Sequence, residues 1–188
     1  MRTLKLQVQI TVDGFIAGPE GEQDWMTWNW DEELQKFVDE ITAPVDCIVL
    51  GRKLAEGFIP YWTEVAQDPD NPEQESGKKF TETQKIIFSD TLEKSKWGNT
   101  ELAQGDLVDE ITRLKTQDGG DITAYGGATF VANLIEHRLI DDYYLFVNPV
   151  ALGGGLPIFN NLNEYQHLNL VQSRAFGCGI VLLHYEPE

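Results

Sequence analysis

Basic residues are scarce in this sequence: 14 Lys and Arg stand against 31 Asp and Glu, a formal charge of −17 over 188 residues. A surface so acidic repels nucleic-acid phosphates and anionic membranes, so neither is an expected partner. Cysteine is scarce too. Cys47 and Cys178 form no CxxC pair, and a chain of this size needs no disulfide, so both are expected as free thiols in a reducing compartment. His137, His167 and His184 lie apart without metal-ligand spacing, and no metal is expected. No run approaches the ~20 apolar residues that cross a bilayer. The first residues, Met1 to Leu6, alternate polar and apolar types and lack the apolar stretch of an export signal, so the expectation is a cytoplasmic protein. Several chemical templates are missing as well. The chain has no GxGxxG fingerprint, no GxxxxGK[ST] loop, no GxSxG elbow and no HxE…PCxxC deaminase signature.

What is present suits a packed core. Hydrophobic residues make up 41% and aromatics 11%, and the length fits one domain spanning 1–188 with no visible linker or repeat. Leu4, Leu6, Val8 and Ile10 alternate with polar neighbours, the period of a strand. Leu34, Phe37, Val38 and Ile41 recur at helical spacing after Asp31, and Pro44 ends that helix. Cys47 to Leu50 is a continuous apolar run, as in a strand covered on both faces. Gly51 then leads into a short helix carrying Leu54 and Phe58, and the polar stretch from about Tyr61 to Gln84 is expected as a long surface excursion. Beyond it come a strand at Lys85–Ser89, a helix from about Asp106 to Gly119, a strand at Ile122–Tyr125, a helix at Ala128–His137 and a strand at Tyr143–Val150. A hairpin across Gly177-Cys178-Gly179 closes the chain. Crossovers first and consecutive strands last predict an α/β fold whose mostly parallel sheet has antiparallel C-terminal strands.

Two strand-to-helix junctions carry glycine at the turn: Val49-Leu50-Gly51-Arg52-Lys53 and Ala124-Tyr125-Gly126-Gly127-Ala128. Helix starts offer free N–H groups and a positive dipole end to phosphate, and glycine permits close approach. Glycine also serves any tight βα turn. Arg52 and Lys53 add cations that the chain otherwise lacks. Asp31, Glu32 and Glu33 open a helix, where carboxylates cap N–H groups and complement the dipole. Trp25, Trp28 and Trp30 cluster before it, either as core anchors or as a wall on which a flat heterocycle stacks.

At these positions a family resemblance enters. Thr11-Val12-Asp13-Gly14-Phe15-Ile16-Ala17-Gly18, Trp28-Asn29-Trp30-Asp31-Glu32-Glu33-Leu34 and both glycine junctions resemble, in order, the dihydrofolate-reductase-like superfamily. Leu139-Ile140-Asp141-Asp142 and the run Asn148 to Phe159 resemble more specifically the reductase domain of the bifunctional riboflavin-pathway deaminase-reductase, here as a stand-alone member. The resemblance implies a three-layer dihydrofolate-reductase-like fold, a homodimer and reduction of a pyrimidine or pteridine heterocycle by NADPH. The reaction would resemble that of 5-amino-6-(5-phosphoribosylamino)uracil reductase; a dihydrofolate or pterin reductase, or a non-catalytic ligand-binding module, are the alternatives. It further implies that backbone groups of Gln9 and of Ile16 or Ala17 hold the carboxamide. Gly51, Arg52, Lys53, Tyr125, Gly126, Gly127 and Ala128 would surround the phosphates, and Ser89 would lie near the adenosine ribose. Trp25, Trp28 and Glu33 would meet the substrate, Glu33 being the catalytic carboxylate that leans from its helix into an apolar cleft. The sequence departs from the pattern at Leu54, where relatives carry a hydroxyl, and at Asp90, where they often carry Arg. A carboxylate at Asp90 suits the free 2′-hydroxyl of NADH.

Overall fold

A computed structural model describes residues 1–188. The chain begins with strands β1 (Leu4–Thr11) and β2 (Phe15–Ala17), helix α1 (Glu32–Thr42) and strand β3 (Val45–Gly51). Helices α2 (Arg52–Gln67) and α3 (Gln74–Glu82) lead to β4 (Gln84–Phe88) and β5 (Thr100–Leu102). Then come α4 (Leu107–Thr116), β6 (Asp121–Ala124), α5 (Ala128–Glu136) and β7 (Asp142–Asn148). The short β8 (Leu156–Pro157) precedes the terminal hairpin of β9 (Leu168–Ala175) and β10 (Val181–Pro187). Eight strands form one sheet in the order β5-β4-β3-β6-β1-β7-β10-β9. Pairing is parallel from β5 to β7 and antiparallel at β7–β10–β9, and β2 pairs separately with β8.

The period-two pattern of β1 decides which face each helix covers. Leu4, Leu6, Val8 and Ile10 join Ile111 and Leu114 of α4 and Val131, Leu134 and Ile135 of α5 in the largest core cluster. The opposite face is covered in two separate places. Leu34 and Phe37 of α1 pack on Tyr144, Phe146 and Leu182, over β7 and β10. Ala55 and Ile59 of α2, with Phe80 of α3, pack on Ile48, Leu50 and Ile87, over β3 and β4. No residue of β1 belongs to either cluster, so between the two helix groups the sheet presents Lys5, Gln7 and Gln9.

The expected surface excursion from 61 to 84 is instead mostly helical. Pro60 sits inside α2 and forfeits one ladder bond, yet the helix continues because Ile59, Trp62 and Val65 stay on its packed face. Helix α3 escaped detection because its residues are mainly polar. It lies so close to α2 that a Cβ on Gly77 would stand 2.7 Å from the backbone nitrogen of Ala66. The β2–β8 pair and β5 were also not foreseen; at two or three residues each they carry too little pattern to be read.

One lysine is buried in the fold. Lys85 is 1% exposed, and its ammonium donates to the carbonyls of Phe80, Thr81 and Thr83, closing the end of α3. Burial pushes its pKa down to about 8. The folded state therefore holds this proton less tightly than the unfolded chain, and the associated stability, complete above the unfolded value of 10.5, is lost as pH falls through 8. Cys47, pushed up to about 11 by burial, acts in the opposite direction, so the parent curve alone does not isolate the lysine. Between pH 8 and 10 the parent should gain about 1–3 kcal/mol relative to Lys85→Met in urea unfolding. Parallel curves for the two proteins would show that this ammonium keeps its proton throughout.

Candidate functional site

All parallel strands end at one edge of the sheet, where ligands bind in such folds. Two helices start there without a side-chain cap. Gly51 precedes α2 and Gly127 precedes α5, and neither first turn has a capping hydrogen bond or an acidic residue. By contrast Asp31 and Asp106 cap α1 and α4 through the N–H groups of Leu34 and Asp109. The start of α3 is uncapped too, but Glu75 occupies its first turn. The starts of α2 and α5 lie against one another: a Cβ on Gly51 would come 2.9 Å from Cβ of Phe130, and one on Gly127 would be 3.7 Å from Cβ of Leu54. Gly126 and Gly127 hold φ of 148° and 84°, conformations that other residues rarely adopt. Two sets of free N–H groups thus converge beside Arg52, an arrangement suited to a diphosphate.

Next to this pair the sheet opens. β1 pairs with β6 only at Leu4–Leu6, whereas it follows β7 from Lys5 to Thr11. From Gln7 onward its β6-side edge has no strand partner. A polar network fixes the other side of the opening. The fully buried Asn148, last in β7, donates to Oε1 of Gln9 and accepts from the Thr27 N–H, drawing the tryptophan segment across the strand ends. Asp13 accepts from the Thr11 hydroxyl and from the N–H groups of Leu152 and Gly153, tying the loop after β1 to the glycine-rich loop after β7. These bonds, led by that from Thr11, hold its pKa below the usual carboxylate value. At Gly155 any Cβ would collide with the Ala17 carbonyl, so only glycine lets β8 close on β2.

The sequence profile of the RibD C-terminal domain matches residues 2–182. The chain belongs to that family. An uncharacterized Bacillus subtilis protein, YyaP, is 33% identical over 185 residues, covering 98% of this chain and 94% of its own. In fold, the chain resembles a putative riboflavin biosynthesis protein from Shewanella sp. PV-4, with TM-score 0.72 and 24% identity over 100% of this chain and 99% of that one. It also superposes on a Thermotoga maritima diaminohydroxyphosphoribosylaminopyrimidine deaminase/5-amino-6-(5-phosphoribosylamino)uracil reductase, with TM-score 0.71 and 21% identity, spanning 57% of that longer chain.

Within this RibD C-terminal domain fold, the residues singled out from the sequence gather at one edge, but not all face the same way. Gly51, Arg52, Lys53, Tyr125, Gly126, Gly127 and Ala128 sit at the paired helix starts, with Lys53 exposed. Burial raises the Tyr125 pKa, and its ring packs on Phe58 and Phe80. Ile16 and Ala17 are buried in β2, and Gln9 is held by Asn148. Ser89 follows β4 and accepts from the N–H groups of Thr91 and Leu92, leaving Asp90 exposed at the turn. Trp25 is half-buried and Trp28 is 65% exposed, while Trp30 is the member that joins the core.

Glu33 departs from its expected place. Its side chain is 58% exposed and pairs with Arg174 of β9, on the side of α1 away from β1, rather than leaning into an apolar cleft. The helical turn from Glu33 to Phe37 put both residues on one side, but the covering partner of that side is Arg174, which also lies over the rings of Phe37 and Phe176. Asp31 does cap, and its second oxygen accepts from the Cys178 N–H in the terminal hairpin. Sequence reasoning missed Asp13 and Asn148 as organising residues. Asp13 stood inside a quoted motif and Asn148 headed another, but only tertiary contact shows what each holds. Asn148→Ala should cost about 1–3 kcal/mol in chemical unfolding, because the Thr27 N–H and the Gln9 amide lose a buried partner. It should also speed amide exchange at Thr27, and unchanged protection there would mean another group holds this segment.

Proposed function

We propose that the protein is an oxidoreductase that binds a reduced nicotinamide dinucleotide, NADPH, with NADH the alternative that Asp90 admits, and reduces a pyrimidine or pteridine-type heterocycle. The observation that carries this reading is the convergence of the uncapped starts of α2 and α5 beside Arg52, next to the unpaired edge of β1. Membership of the RibD C-terminal domain family supports it. When bound, the dinucleotide would supply a hydride to a polarised C=N or C=O carbon.

The chain's own residues position and polarise. Gly51, Arg52, Lys53, Gly126, Gly127 and Ala128 would hold the phosphates through N–H groups and cations. The backbone of Gln9, with Ile16 or Ala17 across the opening, would hold the carboxamide, and Ser89 would meet the adenosine ribose. The heterocycle would lie in the groove between α1 and α2, floored by Gln7 and Gln9, with Trp25 and Trp28 at its rim for stacking. Glu33 is proposed to orient the substrate and to hold the balancing proton, which requires its side chain to leave Arg174 and turn toward the groove.

Two unbonded cysteines suit a reducing compartment, and we infer a cytoplasmic enzyme. A second copy is the partner we propose for the outer strand β9. It ends the sheet with one edge unpaired, and Leu170 and Val171 on it are 56% and 50% exposed.

Titration with NADPH, followed by tryptophan fluorescence, tests binding. Loss of nicotinamide absorbance with the riboflavin-pathway intermediate and a panel of pterins tests turnover. Absence of NADPH binding would end the reductase reading. Glu33→Gln should lower turnover about 10²–10⁴-fold with dinucleotide affinity unchanged. Full activity would leave Glu33 as a partner of Arg174 alone, with the proton coming from water. Sedimentation at micromolar concentration should give the mass of two 21.2 kDa chains, and a monomer there rejects the dimer.

A further inference from the structure

We infer that Glu56 is a specificity-determining residue of the dinucleotide site, an internal anion that competes with the phosphomonoester on the ribose 2′-oxygen for two cations, Arg52 and Lys96. This rests on the nucleotide reading above. Glu56 lies one turn beyond Arg52 on α2, and Nη1 of Arg52 donates to both its oxygens at 2.9 and 3.0 Å. Nζ of Lys96 stands 4.0 Å from the same carboxylate, reaching it from the segment between β4 and β5. Nζ of Lys96 also lies 4.9 Å over the ring of Trp97, which packs against the α2 side of the core, so the ammonium itself is held there.

Two cations around one carboxylate form a local positive excess in a chain with a net charge of −17. The carboxylate occupies the position between the cations that a phosphate group would take. It is a weak occupant: Arg52, Glu56 and Lys96 are 31%, 39% and 58% exposed, and such surface pairs are readily exchanged. A phosphomonoester carries more charge and three acceptor oxygens, so it displaces Glu56. The displaced carboxylate then remains nearby as a like charge. A dinucleotide whose ribose carries a free hydroxyl puts no anion between the two cations and meets little of this competition. Glu56 therefore reduces the preference for NADPH over NADH, and Lys96 increases it. Asp90 acts in the same sense as Glu56 from the neighbouring strand end, so the choice of cofactor is set by a balance of these four side chains rather than by Arg52 alone.

The test measures NADPH, NADH, 2′,5′-ADP and 5′-AMP affinities of the parent, Glu56→Gln and Lys96→Gln. Both positions are more than a third exposed, and matching far-UV spectra and urea midpoints confirm that the variants fold. Glu56→Gln should tighten NADPH and 2′,5′-ADP about three- to tenfold and change NADH and 5′-AMP less than about twofold. Lys96→Gln should weaken the first two ligands by a similar factor and spare the others. If the NADPH-to-NADH affinity ratio stays at the parent value in both variants, or if Glu56→Gln tightens all four ligands equally, the assignment is overturned while the nucleotide site stands. If none of the four ligands binds the parent or either variant, the nucleotide reading fails and this assignment fails with it.

Discussion

The splitting of β1 from β6 is the constraint around which the molecule is arranged. A parallel sheet needs a crossover for every strand, which brings every strand-to-helix turn to one edge. Within that edge β1 runs on with β7 to Thr11, while β6 ends at Ala124 and turns away through Gly126. The resulting opening lies at the same edge as the uncapped helix starts and the unpaired part of β1. Everything placed in the candidate site depends on this divergence, and the loops after β1 and β7 are pinned around it by Asp13 and Asn148.

The two faces of the sheet do different work. On one, α4 and α5 cover the middle strands completely, and the largest apolar cluster lies there. On the other, α1 and α2 cover the flanks and leave β1 between them with glutamines instead of leucines. Filling the groove floor with apolar residues would add burial at about 25 cal/mol per Å² but remove the hydrogen-bonding groups of the proposed heterocycle site. The polar half of the β1 alternation, which elsewhere would mark a solvent face, here lies between two helix groups.

Charge is distributed with similar economy. The acidic surface surrounds a small basic group at the α2 start, and the carboxylate of Glu56 is set among those cations rather than apart from them. Buried charge is rarer still: Lys85 is accepted because three carbonyls at the end of α3 meet its ammonium.

Local pattern by itself determined a good part of this protein. The alternation in β1, the helical spacing of Leu34 and Phe37, the Asp31 cap and the terminal hairpin were legible because each rests on residues a few positions apart. The two glycine junctions were legible for the same reason, since their backbone demands are local. The helix in the polar stretch before β4 was not, because its stability comes from Gly77 closing on α2 and not from its own pattern. Nor were the partners of Glu33, Gln9 and Glu56. Arg174 is 141 residues from Glu33, Asn148 is 139 from Gln9, and Lys96 reaches Glu56 from beyond β4. A sequence states which groups a residue carries. Only the packing of distant strands decides which way a side chain turns and which charge it meets, because those contacts form between segments that share no local period.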